Sequence, residues 1–484
     1  MNSTASPRRR NREVHLRLPK LHVHSDRQTE MSAYGGLTLV HQLARKVRFA
    51  QHIAEHVKVL KLHQGYGESD HLFHLLSAQF AGASCVEDLG RLQDDEMYRK
   101  MLGVERVSDP STMGDFLRRF TRTDLNALKS AMWQMRREAW KSLKPKQRRW
   151  ASLDLDSKIC AVYGEQKEGA DFGYQGSYGY HPEMLSLAET GEWLDVVNRP
   201  CNAVSGDKAV YLLRRNLSQV QERFKHVCVR GDTKFGRADV LLECERHGAK
   251  VCVGWAATPR LVKLAEALPS TAWKPHERRC SGGAAPMRVR RKKGNLRRVK
   301  ARRRGYTDKK LKREWVAEFP YCPMSKKHVV RKTYRVVVIR KQIEVARKTG
   351  LFDLFTYRFI LTDLPESNLS EVVHYAHGRA NQENLIEQAA NGLSAFRMPT
   401  GQLLANEVWM TVAMLAHNFK SYLCLMALGE EKLGWEWKRF RFNFLYVVAR
   451  ITKASRQIHV WLDPKPPYVE HIQGGLIALG AASP

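Results

Sequence analysis

The sequence lacks three features that would place it in a familiar class. Its nine cysteines include no Cys-x-x-Cys pair, which argues against a standard zinc finger. The most apolar stretch, residues 402–428, contains Glu407 and Lys420, so it predicts a buried helix rather than a membrane span. No apolar core follows the basic N-terminal stretch, so no secretory signal is predicted, and the odd cysteine count favours a reducing cytoplasm.

Acidic residues are scarce relative to basic ones. The 484 residues include 81 Lys and Arg against 49 Asp and Glu, which gives a formal net charge of +32. This excess favours a phosphate-rich partner, because Lys and Arg release counterions when they bind nucleic acid. A basic protein that is merely soluble, or that touches anionic membranes, is the alternative. No amphipathic basic helix with a lipid-facing stripe is evident.

Changes in residue periodicity divide the chain into five segments. Residues 1–33 are predicted to form a flexible basic arm. Residues 34–148 have apolar residues at helical spacing, which is typical of a DNA-binding helical domain and equally of a plain helical bundle. Residues 149–256 follow the strand–helix–strand order of an α/β domain with a mixed sheet. Residues 257–362 are predicted to be a basic, β-rich insertion on a small subdomain, and residues 363–484 return to helices.

Three acidic residues in different settings indicate a possible chemistry. Asp156 lies in the alternating apolar stretch WASLDLDSKICAVYG, Asp232 ends the apolar stretch HVCVRGD, and Glu383 lies in the polar, helix-like stretch HGRANQENLIEQ. A carboxylate inside an apolar strand is costly unless it is paired or coordinated. Carboxylates on two strands and a helix suit two divalent metal ions in phosphoryl transfer. Each acid alone is equally consistent with a surface carboxylate, and Asp154 competes with Asp156 because both lie on one strand face.

The spacing around Glu383 adds a basic residue to this group. Tyr375, Arg379, Glu383 and Glu387 recur every four residues and share one face of a helix. Arg379 is suited to hold a scissile phosphate or to orient Glu383, because guanidinium makes bidentate contacts with oxygen. An exposed ladder of ion pairs is the more common explanation of such spacing. Gly378 weakens the helix here, which is unusual for a merely structural ladder.

Several segments together resemble a known family. They are LDLDSK, the stretch from Ala161 to Pro182, VRGDTKF, GRANQENLIEQ and LSAFRMPTGQLLANEVWM, with YGGLTLV and DPSTMGDFLRRF nearer the N-terminus. From about Tyr34 to Leu462, the chain resembles the DDE insertion-sequence transposases of the bacterial IS4-type superfamily, closest to its thirteen-eighty group. The resemblance implies an α/β fold with a ribonuclease-H-like catalytic core interrupted by a β-rich insertion, an N-terminal helical domain and C-terminal helices.

The resemblance also implies roles for individual residues. Asp156, Asp232 and Glu383 match the three catalytic, metal-binding acids. Arg379 matches the arginine that precedes the glutamate by four residues and contacts the substrate. Tyr375 is the candidate for a substrate-binding tyrosine, although it precedes Arg379 by four residues and the family's tyrosine by three.

The implied activity is cut-and-paste DNA transposition at the bacterial nucleoid. A homodimer would bind double-stranded DNA at terminal inverted repeats, cleave the element ends with two Mg²⁺ ions, for which Mn²⁺ may substitute, and join the freed 3′-hydroxyl to target DNA. Two alternatives are a nuclease of the same fold that cuts without joining and a catalytically dead DNA-binding protein. The second alternative is kept open by Ala390, which stands where the family has a DNA-contacting lysine.

Overall fold

The computed structural model describes most of the chain. The described residues are 31–63, 65–102, 104–276, 309–325, 327–345, 354–365, 368–454, 457–465 and 468–481. Residues 1–30 of the predicted basic arm lie outside the described residues, and so do residues 277–308 of the predicted insertion.

Helices form both ends of the described chain and alternate with strands in its middle. The α-helices are α1 Leu37–Lys46, α2 Phe49–His56, α3 Glu68–Ala81, α4 Leu89–Gln93, α5 Glu96–Leu102, α6 Pro110–Arg118, α7 Arg122–Trp140, α8 Ala209–Gln221, α9 Ala238–Arg246, α10 Pro259–Glu266, α11 Leu369–His377, α12 Ala380–Glu387, α13 Leu403–Leu423, α14 Trp437–Phe440 and α15 Val469–Ala478. Two short 3-10 turns and three π-helical segments supplement them: Ser270–Ala272, Glu430–Lys432, Gln388–Gly392, Cys424–Leu428 and Arg441–Leu445.

The strands form one large sheet and two small ones. They are β1 Met31–Ser32, β2 Trp150–Ser157, β3 Cys160–Ala161, β4 Asp171–Phe172, β5 Tyr178–Tyr180, β6 Glu183–Leu187, β7 Glu192–Val197, β8 His226–Gly231, β9 Lys250–Trp255, β10 Lys274–Pro275, β11 Lys309–Tyr321, β12 Tyr334–Val345, β13 Leu354–Thr362, β14 Ala449–Ala454 and β15 Gln457–Leu462. The small sheets have the orders β1-β14-β15 and β3-β5-β4.

The nine-stranded central sheet has the order β10-β11-β12-β13-β9-β8-β2-β6-β7. Strands β2, β8 and β9 are parallel, whereas β6 and β7 extend β2 as an antiparallel meander. This mixed sheet flanked by helices confirms the predicted α/β class.

The described strands of the β-rich insertion continue the central sheet instead of forming a separate small subdomain, which corrects the expectation from the sequence. Strand β13 pairs with β9, and β12 and β11 follow in antiparallel order, so the insertion prolongs the central sheet. Val336, Val338 and Leu361 belong to the same apolar core as Val229 and Val253 of the parallel strands. Strand β13 thereby covers the edge of the sheet at β9. An unpaired edge strand would be open to association with other chains.

The C-terminal helices share a hydrophobic core with the N-terminal ones. Helix α13 is buried along most of its length, as its composition predicts. Its Glu407 is fully buried and lies 3.1 Å from Lys129 of α7, and Lys129 lies 2.8 Å from Asp195 of β7. Its Asn418 exchanges two hydrogen bonds of 2.8 Å with the backbone of Trp193. Within the described residues, no helix is long and apolar enough to cross a membrane.

Two segments whose residues recur at helical spacing are each divided into two helices. The first breaks between α1 and α2, where Arg48 has a φ of 56°. The second breaks between α11 and α12, at Gly378 and Arg379. Helical periodicity continues through both breaks, and periodicity alone therefore does not reveal them. The second break determines where Arg379 and Glu383 lie relative to the sheet.

Candidate active site

The carboxyl ends of two neighbouring parallel strands bring the predicted aspartates together. Leu155 of β2 is opposite Gly231 of β8 in the sheet register. An aspartate follows each of these two residues. Asp156 is still part of β2, and Asp232 comes directly after the end of β8. Because side chains alternate along a strand, two paired neighbours project from the same face of the sheet.

Asp156 is a partly buried carboxylate with a cationic partner. Its side chain is 15% exposed, and its Oδ2 accepts a hydrogen bond of 2.7 Å from Nη1 of Arg379. Its Oδ1 accepts from the backbone N–H of Ser157 at 2.8 Å. Burial raises the pKa of Asp156, the charge of Arg379 opposes this, and the nearby carboxylates of Asp232 and Glu383 raise it further. Asp232 and Glu383 are therefore each close enough to Asp156 to repel its carboxylate.

Asp232 is held in a tight turn after β8. Its Oδ1 accepts from the backbone N–H of Lys234 at 2.8 Å. The turn lies against Gly254 of β9, where an added Cβ would come within 2.8 Å of the Thr233 nitrogen. A side chain at position 254 would push the turn outwards. Glycine on β9 therefore permits the position of Asp232.

Arg379 bridges Asp156 and Glu383. Its Nη2 lies 3.7 Å from Oε1 of Glu383, whose side chain is 66% exposed, while the Arg379 side chain is 20% exposed. An exposed ladder of ion pairs does not describe this arrangement, because the closer partner of Arg379 is on strand β2 rather than on its own helix. We call Asp156, Asp232, Arg379 and Glu383 the outer layer.

A second group of polar residues lies beneath the outer layer. Asp154, two residues before Asp156, is 1% exposed. It accepts two hydrogen bonds from Arg230 of β8, from Nε at 2.6 Å and Nη2 at 2.7 Å. Arg230 also donates to the Tyr375 carbonyl oxygen at 3.0 Å, and Gln382 Nε2 donates to the Asp154 carbonyl oxygen at 2.7 Å. We call Asp154, Arg230, Tyr375 and Gln382 the inner layer.

The inner layer gives the two aspartates of β2 different surroundings. The Arg230 guanidinium donates a hydrogen bond to each oxygen of the Asp154 carboxylate. Burial lowers the pKa of Arg230, but the hydrogen bonds and charge of Asp154 outweigh it and raise the pKa overall. Asp154 is thus committed to a buried ion pair, which leaves Asp156 as the β2 carboxylate that reaches the sheet edge.

Comparison with known proteins places these layers in a family. A family model described as transposase DDE domain group 1 matches residues 19–482. The chain belongs to this transposase family. The matched residues include both aspartate-bearing strands and the helix that carries Glu383, so the whole outer layer lies within the transposase domain.

Other comparisons add little to this assignment. No curated protein matches this transposase. Among solved structures it is similar to piggyBac transposase in a synaptic complex with hairpin DNA, with 10% sequence identity and a TM-score of 0.34 over 84% of this chain and 81% of that chain. A likeness this weak supports no argument about individual residues.

A steric contact that the sequence does not reveal explains why residue 378 of the transposase is a glycine. A Cβ at this position would lie 2.8 Å from Nη1 of Arg230. Arg230 is fixed by Asp154 and has little room to move. The glycine lets the end of α11 approach the inner layer, and this approach sets the position of the adjacent Arg379.

Tyr375 lies in the inner layer rather than beside Arg379. Its hydroxyl accepts a hydrogen bond of 3.0 Å from Trp150 Nε1 and lies 2.8 Å from the Ser152 hydroxyl. The Arg230 guanidinium lies 4.8 Å from the centroid of the Tyr375 ring. Burial is the main cause of the raised pKa of the Tyr375 phenol. These contacts give Tyr375 a structural role in the inner layer, and the substrate-binding role expected from the sequence stays a prediction.

The outer layer offers donors that suit a hard divalent cation. Carboxylate oxygens are the preferred ligands of Mg²⁺ and Mn²⁺. Within the part of the chain that the structure describes, no three His, Cys, Asp or Glu side chains converge tightly enough to enclose an ion. Arg379 instead supplies the positive charge next to Asp156, and the exposed Glu383 side chain is free of packing that would hold it away. The chemistry of these carboxylate donors fits a hard divalent cation.

Sequence reasoning missed Arg230 and Gln382, although the sequence contains a signal for Arg230. Arg230 is a charged residue inside the apolar strand HVCVRG, where an unpaired charge would be costly. Gln382 lies on the face of α12 opposite to exposed Asn381 and Glu383, and it is fully buried. Ala390 is half-buried in the π-helical segment that follows α12.

Proposed function

We propose that this protein is a cut-and-paste DNA transposase with a ribonuclease-H-like catalytic core. The observation that supports it most is the outer layer, where two aspartates from adjacent parallel strands meet a glutamate and an arginine of one helical segment. The strand order β7-β6-β2-β8-β9 also supports it. Numbered along the chain from β2, this order is 3-2-1-4-5, with Asp156 near the end of the first strand and Asp232 directly after the fourth.

Asp156, Asp232 and Glu383 would hold two Mg²⁺ or Mn²⁺ ions in this proposal. Such ions, when bound, activate the attacking oxygen and stabilise the leaving one. The protein side chains position the DNA strand, because phosphoryl transfer needs alignment and charge neutralisation more than covalent help.

Arg379 would change partner when DNA binds. Its guanidinium now neutralises Asp156 and reaches towards Glu383. With cations on the carboxylates, the guanidinium becomes available to a phosphate oxygen, for which its planar fork is suited. Arg379 would thereby hold the scissile phosphate next to the acids.

The rest of the chain would bring DNA to this site. The net charge of +32 favours a polyanion. We propose that the helical segment at residues 34–148, together with the basic insertion, binds terminal inverted repeats, and that a homodimer pairs two ends. The motifs that resemble the thirteen-eighty group of the IS4-type superfamily support membership of that group, and action at the bacterial nucleoid would follow.

A cleavage and strand-transfer assay tests the proposal. The substrate is labelled duplex DNA that carries the sequences bordering the coding region on its genome, incubated with Mg²⁺ or with chelator, together with an unlabelled target plasmid. We expect metal-dependent nicking at the border and joined products. Glu383→Gln should abolish both, whereas Glu387→Gln, one helical turn further along α12 and exposed, should leave both intact.

The same assay separates the alternatives. Cutting without joined products would indicate a nuclease of the same fold. Specific binding of the border sequence without cutting, at every metal concentration, would indicate a DNA-binding protein that has lost catalysis. In that case Ala390→Lys is the first variant to test for recovered cleavage.

A further inference from the structure

Three aromatic side chains lie exposed on a short excursion of the chain between β2 and β6. Tyr163, Phe172 and Tyr174 are 94%, 66% and 72% exposed. They belong to the segment that forms the small sheet β3-β5-β4. Large aromatic side chains are usually withdrawn from water, so three on one short segment require an explanation. We call these three residues the aromatic platform.

One member of the aromatic platform, Tyr174, borders the outer layer. Strand β3 begins four residues after Asp156. Lys234 Nζ lies 5.2 Å from the centroid of the Tyr174 ring, and the backbone N–H of the same Lys234 donates to Asp232 Oδ1 at 2.8 Å. One residue therefore separates the Tyr174 ring from a proposed catalytic carboxylate.

The excursion is fastened rather than loose. Lys167 Nζ donates to the carbonyl oxygens of Met398 and Thr400 at 2.9 and 2.8 Å. Glu168 Oε2 accepts from the backbone N–H of Leu403, at the start of α13, at 3.0 Å. The buried Tyr180 donates its hydroxyl to the Glu168 carbonyl oxygen at 2.7 Å. With the scaffold fixed in this way, the exposed rings keep a defined place beside the site.

The charged residues on the excursion indicate which chemical class of ligand it can bind. Glu165 is exposed, and exposed Asp171 forms a hydrogen bond with Asn202. These acids disfavour close approach of a phosphate backbone to the excursion itself. Uncharged nucleobase faces are not repelled in this way, and they stack on aromatic rings irrespective of sequence. Lys234, at the foot of Tyr174, offers a cation for a single phosphate next to the stacked base.

We propose that the aromatic platform binds unpaired nucleotides of the DNA strand whose phosphate lies at the outer layer. The inference rests on the proposed function, since it requires DNA at the three acids. It assigns the β2–β6 excursion a task distinct from duplex recognition, namely to hold bases that have left the double helix near the point of cleavage. The protein should therefore prefer a duplex end that carries an unpaired extension over a blunt one.

Binding measurements without catalysis test this inference. The probes are a fluorescein-labelled blunt duplex and the same duplex with a five-nucleotide unpaired extension, in chelator, with 2-aminopurine within the extension as a stacking reporter. We expect tighter binding of the extended duplex and quenching of 2-aminopurine. Tyr174→Ala and Phe172→Ala should each weaken binding of the extended duplex by about five- to 100-fold and relieve the quenching.

Two control variants separate stacking from general effects. Tyr174→Phe keeps the ring and should bind both probes as the parent does. Phe442→Ala removes an aromatic side chain that is 76% exposed elsewhere and should change neither affinity. Affinity for the blunt duplex should stay within about twofold of the parent for every variant.

Each other outcome contradicts the inference in a distinguishable way. Equal affinity for both probes, with blunt duplex still bound, would overturn the aromatic platform as a base-binding site and leave the proposed transposase intact. Failure to bind either probe would count against the proposed function, and the inference would fall with it. Unchanged DNA binding combined with a lower oligomeric state of Tyr174→Ala in light scattering would make the platform an interface between copies of the chain.

Discussion

The inner and outer layers contain the same kind of ion pair in different surroundings. Asp154 and Asp156 lie two residues apart on one face of β2, and each contacts an arginine. Asp154 makes two short contacts with Arg230 in the interior, whereas Asp156 makes one with Arg379 at the sheet edge, beside two further acids. Burial, rather than residue type, distinguishes the structural pair from the pair at the candidate active site.

The difference has energetic consequences. Removing one partner of a buried pair leaves an uncompensated charge in the interior, which is strongly destabilising. In the outer layer the carboxylates repel one another, and this repulsion contributes to the raised pKa of Asp156. Strained charge of this kind is typical of sites that trade stability for activity. Substitutions in the two layers should therefore affect different measurements.

The largest expected effect is loss of cleavage when an outer aspartate is neutralised. Asp156→Asn and Asp232→Asn should each lower metal-dependent cleavage at least about a thousandfold, because an essential carboxylate is lost. The free energy of unfolding should change by less than about 1 kcal/mol, since repulsion is relieved while one partly exposed contact is lost. Parallel urea titrations check this, and a folded, active Asp232→Asn protein would remove that residue from the site.

The next effect is on stability and belongs to the inner layer. Arg230→Leu should lower the free energy of unfolding by about 3–5 kcal/mol, because Asp154 is left buried and unpaired. The double variant Asp154→Leu/Arg230→Leu should recover much of this loss. Urea unfolding of the two single variants and the double variant measures the coupling. Additive losses would show that the pair is not coupled as the contacts indicate.

A smaller effect is expected at Gly378, where the two layers meet. Gly378→Ala should cost about 1 kcal/mol, because its Cβ would press on Arg230. The same substitution favours a helix by up to about 1 kcal/mol where nothing obstructs it. In an Arg230→Leu background the change should therefore become neutral or stabilising. Thermal unfolding of the four proteins tests this reversal of sign.

The sequence predicts the outer layer better than the inner one, for a physical reason. Asp156, Asp232 and Glu383 were identified because charged residues stand out within apolar or helical patterns and match a family. Pairing partners across a sheet are not encoded in spacing, so spacing alone does not distinguish Asp154 from Asp156, whereas Arg230, opposite Asp154 in the sheet register, does. Helical spacing alone also does not show that Tyr375 packs against Trp150, so these contacts were not predictable.

For the overall fold as well, local sequence patterns were predictive, whereas contacts between residues far apart in sequence were not. Alternation and apolar runs predicted the α/β class and the buried helix α13. The pairing of β13 with β9 was not predictable, because the residues that form this strand pair are far apart in sequence. The break before Arg379 was also missed, since Gly378 weakens a helix without ending it, and the contact with Arg230 that accompanies the break lies in another element.

The smallest expected effect concerns Gln382, which ties helix α12 to the inner layer. Its amide nitrogen holds the Asp154 carbonyl oxygen, but its Oε1 is buried without a partner among the described residues. Gln382→Leu loses one hydrogen bond and removes one unsatisfied oxygen, so the free energy of unfolding should fall by at most about 1 kcal/mol. The cleavage rate should fall by a larger factor than the equilibrium constant for folding does. Glu383 directly follows Gln382, so its position depends on the turn that this hydrogen bond holds in place. Asn384→Leu, an exposed neighbour on the same helix, should leave cleavage unchanged. If both leucine variants cleave DNA as the parent does, the inner layer supports the fold without positioning the outer layer.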